Sequence, residues 1–478
     1  MPFIPHTSAD ERAMLEQIGV DSIAALFAEI PAELRVDESS SLEPGTGRNP
    51  RSEPGTGRNP RSEGVPPSIV SGEAMSEMAM LRWMGERAEQ DAGLACFAGA
   101  GCYDHHVPAA VWDIAGRGEF MTAYTPYQAE ASQGTLQLVF EYQTMMCALT
   151  AMDASNASVY DGASGLAEAI LMAVRKVARK SRSRRVLVAE TLHPHYRDAA
   201  RNIVANQGVE IETLPMAEGR CDLQRLPDDG AFAAVVLQQP NFFGMLEDAD
   251  RLTDWAKGQG AAVIGVVNPL TLSVLKPPGQ WGESGADIAC GDGQPLGAPM
   301  SSGGPSFGFI CAKAALTRQL PGRIIGQTED ASGRIGYSLT LQAREQHIRR
   351  GKATSNICTN QGLLVTAAAV HMALMGAKGL ASAASASRAN TERLVERLTA
   401  LEGVQPLFPG PFFHECALVL PKPVPKVLDA LLDRGILGGV SLAKHFPELG
   451  NALLVCATEK RSADEIDTYG QALENILR

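Results

Sequence analysis

Several things are missing from this chain of 478 residues, and each absence excludes something. Basic residues are not in excess: Asp and Glu outnumber Lys and Arg by 54 to 42, and the formal net charge of −12 argues against non-specific nucleic-acid binding, which needs a basic surface. There is no C-x-x-C, and the 9 cysteines fall at irregular spacing. That pattern gives no disulfide framework and suits a reducing compartment. No apolar run approaches the roughly 20 residues needed to span a bilayer. The opening MPFIPHTSADERAMLEQIGV has neither a basic n-region nor an uninterrupted apolar h-region, so no signal peptide is read from it and a cytoplasmic location is expected. Finally, there is no lysine between Lys276 and Lys313.

What is present is globular. Hydrophobic residues make up 45% of the chain and charged residues 20%, and the length suggests two or three domains. Residues 7–30 read as two short amphipathic helices. Ser8 with Glu11 has the capping-box pattern for the first, Asp21 can cap the second, and Pro31 ends it. EPGTGRNPRS at 43–52 is then repeated unchanged at 53–62, and the density of proline, glycine and charge predicts a flexible insertion over 39–68. From about Glu73 short apolar runs alternate with helical patterns. The runs Val186–Ala189, Ala233–Leu237, Ala261–Val267, Asp287–Cys290 and Phe307–Cys311 are continuous, as strands covered on both faces are. The alternation predicts an α/β fold with a mainly parallel central sheet. A long helix over Gln361–Ala400 follows, and then a smaller α+β part that ends in a helix boxed by Ser462 and Glu465. The expected organisation is an N-terminal arm (1–72), a large domain (73–355) and a C-terminal helix with a small domain (356–478).

Four stretches carry candidate chemistry. Ala286–Ile310 reads as a buried strand, a polar loop with a glycine-rich turn, and a second strand. Its loop presents Gln294, an amide that cannot form an imine as a lysine would. Leu341–Gln361 gathers Arg344, His347, Arg349, Arg350 and Lys352 ahead of a hydroxyl- and amide-rich TSNICTN. Such a cluster suits charge-assisted bonds to phosphate or carboxylate, or else forms a solvated helix end. Tyr124–Gln128, YTPYQ, sets two tyrosines around a Thr-Pro turn: a rigid wall with polar tips, or core packing. Asn156–Gly165 enters a helix through a glycine- and serine-containing loop, the form of a phosphate cradle and also of many loops that bind nothing.

These stretches resemble the glycine cleavage system P-protein family, in particular its subunit 1, which corresponds to the N-terminal half of the single-chain form. The resemblance spans nearly the whole chain: the N-terminal opening, AGAGCYDHHVPA (98–109), AYTPYQAEASQGTLQ (123–137), QQPNFFG (238–244), LKPPG (275–279) and AREQHIRR…KATSNICTNQ. It departs mainly at the repeat-bearing insertion. It implies a type I pyridoxal-phosphate (PLP) transferase fold. It also implies the activity of glycine dehydrogenase (decarboxylating): glycine loses CO2 on PLP, and the aminomethyl group passes to the lipoyl arm of H-protein. By position, Gln294 replaces the Schiff-base lysine, and Asn268 stands where an aspartate faces the ring nitrogen in this fold. The resemblance therefore implies that this chain holds no PLP covalently and has no catalytic residue of its own. Its beta subunit (subunit 2) carries PLP, and the two form an α–β pair or a dimer of such pairs. Tyr124, Thr125, Tyr127 and Gln128 are expected to line the partner's glycine pocket, with Arg349, Arg350 and Lys352 ordering that pocket or meeting anions.

Two rival functions remain at this stage: a self-sufficient PLP enzyme using Lys276 or Lys352, and a non-catalytic scaffold that binds H-protein. No metal site is expected. His193 and His195 have H-x-H spacing and would share a face on a strand, but no third ligand is evident. His105-His106 beside Asp104 reads as a loop contact to a partner, and Cys358 as a buried thiol rather than a redox site.

Overall fold

In the computed structural model the described residues are 7–31, 76–90, 93–120, 125–177, 183–230, 232–301 and 303–478. The duplicated EPGTGRNPRS segment and Tyr124 lie outside them. The chain divides into two compact units, 1–93 and 94–478.

In the first unit a helix spans Ser8–Ile18 and a 3-10 turn spans Ile23–Phe27. Both begin one residue away from the expected caps. The capping box is Thr7 with Asp10, not Ser8 with Glu11, and Ser22 rather than Asp21 accepts from the backbone N–H three residues on. Serine, threonine and aspartate serve equally well as caps, so neighbouring candidates are not separated by type alone. A second helix covers Glu77–Glu89.

The second unit is built on a seven-stranded sheet: β1 (Ala154–Ser155), β2 (Arg185–Ala189), β3 (Glu210–Leu214), β4 (Ala234–Gln239), β5 (Ala262–Val267), β6 (Ile288–Asp292) and β7 (Gly308–Ala312). Their order is β1-β7-β6-β5-β4-β2-β3, with β3, β2, β4, β5 and β6 parallel and β7 antiparallel to both of its neighbours. Alternate residues of each strand enter opposite cores. Leu187, Val235, Val263, Ala289 and Phe309 join one cluster; Val188, Val236, Ile264, Ile288 and Ile310 join the other. Two buried faces explain why these strands read as continuous apolar runs. Each fully buried Val, Leu or Ile contributes about 1.5–3 kcal/mol. Helix Gly162–Val177 covers one face, and Gln133–Thr150 with Gly362–Thr399 the other.

Helix Gly362–Thr399 carries a window of mean hydropathy 1.5, long and apolar enough by composition to cross a membrane. The apolar content of the sequence had not suggested this. Half of that window is buried within the protein, and Leu364, Val365, Ala368 and Met372 pack in the main core, as in a core helix of a folded domain. The helix breaks at Gly376, where φ is +59°, a conformation that costs glycine little.

Towards the C-terminus a four-stranded antiparallel sheet runs in the order Gln405–Pro406, Glu415–Val419, Ala452–Cys456, Val440–Ser441. Helices Val424–Leu432 and Ala463–Leu477 cover it. Ser462 and Glu465 form the expected capping box.

Candidate functional site

Parallel α/β sheets bind ligands beyond the carboxyl ends of their strands. Here β5 leads directly into Asn268, β6 ends at Asp292, and the segment after β2 reaches His193. From the other side Glu415 and its neighbour His414 point in from the first edge of a C-terminal strand. Together with Tyr103 these residues line a cavity of about 40 Å3. That is room for roughly three waters, at 10–15 Å3 of such volume each, against the several hundred Å3 of a typical cofactor site.

The cavity is small because its walls are bonded to one another. Gln294 is buried, and its amide is saturated: Oε1 accepts from the Tyr103 backbone N–H at 3.0 Å, while Nε2 donates to the carbonyls of Tyr103 (2.9 Å) and Ala298 (2.8 Å). An amide offers both a donor and an acceptor, so it clasps the 101–103 loop in a way a lysine ammonium cannot. The Tyr103 hydroxyl donates to Glu415 at 2.7 Å, and the Ala100 N–H donates to the other oxygen of that carboxylate at 2.6 Å. Burial raises the Glu415 carboxyl to about 7. Asn268 accepts from the Leu270 N–H at 3.0 Å, and its Nδ2 lies 3.3 Å from His414 Nε2. Burial lowers His414 to about 3, so the ring is neutral and serves as acceptor there. His193 is likewise held neutral by burial, at about 4; its Nε2 lies 2.8 Å from the Ala100 carbonyl, and the His195 N–H donates to Nδ1 at 3.2 Å.

The Asn156–Gly165 loop does enter a helix, Gly162–Val177, but carboxylates from outside the helix already take up N–H groups of its first turn. The Gly162 N–H donates to Asp292 Oδ2 (3.3 Å) and the Ser164 N–H to Asp161 Oδ1 (2.7 Å). Asp292 is further held by Ser306 (2.5 Å) and the Gln294 N–H (2.9 Å). An incoming phosphate would meet two acidic side chains in place of free N–H groups.

A second, wider pocket of about 310 Å3 lies beside the YTPYQ segment, lined among others by Thr125, Pro126, Arg323, Thr359 and Asn360. Thr125 Oγ1 lies 3.4 Å from Thr359 Oγ1, so the structure brings YTPYQ against the TSNICTN run. Tyr127, 45% exposed, takes a hydrogen bond on its hydroxyl from Arg323, whose guanidinium also lies 4.9 Å from the ring centroid. Arg323 is 1% exposed, ion-paired with buried Glu345 and within 3.9 Å of the Cys358 sulfur. Gln128 lies exposed at the edge of this wall.

The basic run divides by destination. Arg344 is half-buried and donates to the Leu320 and Gly322 carbonyls at 2.6 and 2.8 Å, and Arg349 turns back to the Ala343 carbonyl at 3.0 Å. Arg350 and Lys352 line a different basin, which shares no lining residue with the pocket beside Tyr127.

Three sequence readings are corrected. His193 and His195 stand at the cap and in the first turn of helix Pro194–Val204, not on a strand, and no group of three or more metal-ligating side chains occurs among the described residues. His105 contacts this same chain: its Nδ1 lies 2.7 Å from Glu459 Oε2, while Asp104 holds Lys460 and Arg461 at 2.6 and 3.2 Å. The chain spacing of more than 350 residues hid that contact. Cys358 is half-buried beside a guanidinium rather than enclosed in an apolar core. Arg323, Glu345, His414 and Glu415 went unnoticed because no local pattern marks them; only the pairing of distant segments does.

A family model described as glycine cleavage system P-protein matches residues 1–473. This chain belongs to that family. Proteins named probable glycine dehydrogenase (decarboxylating) subunit 1 from Methylococcus capsulatus and Thioalkalivibrio sulfidiphilus are 54% and 56% identical to it, with all of both chains covered in each case. A crystal structure of glycine decarboxylase (P-protein) of the glycine cleavage system, in inhibitor-bound form, superposes with a TM-score of 0.80 at 41% identity over all of both chains. Sphingosine-1-phosphate lyase of Burkholderia pseudomallei, 15% identical with a TM-score of 0.61 over 86% of this chain and 94% of its own, shares the fold alone. The architecture is the type I PLP-dependent transferase fold.

That fold implies PLP, and the residues around the 40 Å3 cavity do not fit it. No lysine is among the residues that line the cavity, the Asn268 amide at the end of β5 is engaged by the backbone, and Asp292 and Asp161 take up N–H groups in the first turn of helix Gly162–Val177.

Proposed function

We propose that this chain is the cofactor-free subunit of the decarboxylating glycine dehydrogenase. It pairs in the cytoplasm with a subunit 2 that holds PLP, decarboxylates glycine and passes the aminomethyl group to the lipoyl arm of H-protein. The carrying observation is the saturated Gln294 amide: the position that would anchor a cofactor instead fastens the 101–103 loop. Names and length of the subunit 1 relatives support a heteromeric enzyme.

This chain's own contribution is a wall. Thr125 and Thr359 present hydroxyls at an open pocket that Arg323 also lines, and Tyr127 is held beside it by the buried Arg323–Glu345 pair. In this reading the partner's glycine site lies against that pocket, and the wall orients substrate and excludes water. Turnover through another lysine is disfavoured by position. Lys276 is paired at the surface with Asp250 (2.9 Å), and Lys352 lines the separate basin.

The test is reconstitution with subunit 2. Tyr127→Phe is expected to lower kcat/KM for glycine by about tenfold or more, the loss of one transition-state hydrogen bond. Unchanged kinetics would leave only the scaffold role.

A further inference from the structure

An open basin of about 820 Å3 lies between helix Gly162–Val177, the end of helix Pro194–Val204 and the loop over residues 346–356. Three cations line it, Arg175, Arg350 and Lys352, with Glu168 the one carboxylate among the lining residues. Arg175 is set into the wall. Its Nε donates to Gln319 Oε1 at 2.9 Å, and its Nη2 is buried with no hydrogen-bond partner among the described residues. Arg350 sits at φ +53°, a left-handed conformation that a non-glycine residue seldom adopts. Neither Arg350 nor Lys352 has an ion-pair partner among the described residues. Glu168 is engaged by the Ser355 hydroxyl at 2.8 Å, and as one carboxylate it leaves the three cations in excess. A chain of net charge −12 thus focuses cations on one concavity.

We propose that this basin binds a phosphate group, free or carried on a small molecule, held between Arg175, Arg350 and Lys352. Arg175 lines the basin, and a guanidinium offers the planar fork that phosphate oxygens match. A lone phosphate would fill only part of the volume, which falls in the range of small-molecule sites, and the aliphatic surfaces of Leu171 and Ile203 flank the remainder. Gln346 and Asn356 supply amides at the rim. The site is separate from the pocket beside Tyr127, and it stands or falls independently of the subunit assignment.

The experiment is calorimetric titration of the full chain with inorganic phosphate, ribose 5-phosphate and ribose. The expected result is saturable binding of both phosphates and none of ribose. Equal strength for the two phosphates assigns free phosphate; tighter binding of ribose 5-phosphate assigns an ester. The R350A/K352A double variant, altered at exposed positions, is expected to melt as the unaltered chain does without ligand and to bind at least about tenfold more weakly. R175Q is expected to bind more weakly still. If R175Q does not fold, the double variant decides. Absence of saturable phosphate binding, or binding that the double variant leaves unchanged, would overturn the proposal.

Discussion

Two pockets of one molecule have opposite character. At the strand ends, where this fold places its cofactor, Gln294, Asn268, His193 and Asp292 spend their polar groups on neighbouring protein, and about 40 Å3 remains. Beside Tyr127, a pocket of about 310 Å3 stays open behind a wall stiffened by a buried ion pair. A filled cavity costs the protein nothing if no ligand must enter it. An open one lined by threonine, asparagine and a buried guanidinium exposes polar groups that bring no stability to this chain. The contrast is what the proposed role predicts: a subunit whose own site has become structure and whose surface serves a neighbour's site.

The largest effect is expected at the open pocket's support. Glu345→Ala removes the partner of a guanidinium that is 1% exposed and leaves a buried, uncompensated charge. Unfolding by denaturant should show a loss of about 3–5 kcal/mol. A loss below about 1 kcal/mol, the range of an exposed pair, would mean that the pair does not stiffen the wall.

The closed cavity should respond next. Gln294→Lys orphans the buried Tyr103 N–H and places an ammonium where an amide accepted a hydrogen bond, at a cost of at least about 1–3 kcal/mol. The Gln294→Lys/Asn268→Asp chain is still expected to give no borohydride-fixed PLP adduct by mass spectrometry, because the space is filled. An adduct at position 294 would show that only the two side chains, and not the packing, exclude the cofactor.

A pH comparison sharpens the same region. Burial raises the Glu415 carboxyl to about 7 in the folded protein, above its unfolded value near 4.5. The folded state therefore binds the proton more tightly. The stability this contributes is complete below about pH 4.5 and is lost as pH rises towards 7. Relative to Glu415→Gln, the unaltered chain should lose up to about 3 kcal/mol between those pH values, since each tenfold difference in proton affinity is worth about 1.36 kcal/mol. His193 and His414, lowered to about 4 and about 3, act in the opposite sense: their contribution is present above pH 6.5 and falls away in acid. Both backgrounds share that trend, so it cancels in the difference. A flat difference would place Glu415 in contact with solvent.

The smallest effect on stability belongs to Tyr127→Phe, about 0.5–1.5 kcal/mol for one hydrogen bond at a half-exposed site. The same change is expected to be the one most visible in the reconstituted kinetics.

Much of this was legible in the sequence. The five continuous apolar runs are strands of the central sheet, and they are legible because burial on both faces leaves no polar alternation to confuse. Gln294 and Asn268 could be flagged from the chemistry that their side chains cannot perform. What they do instead could not, since it depends on Tyr103 and His414, and each of those contacts joins segments more than 140 residues apart. The basic run Arg344–Lys352 shows the same limit. Spacing revealed a cluster, but backbone turns, including the left-handed Arg350, send its members to three destinations.

The central claim is that this polypeptide shapes a reaction it cannot perform, and one assay addresses it directly: glycine-dependent CO2 release with PLP and lipoylated H-protein supplied, measured for this chain alone and after adding subunit 2. No release above background from the chain alone, with release restored by the partner, is the predicted result. Sustained release from the isolated chain would contradict it.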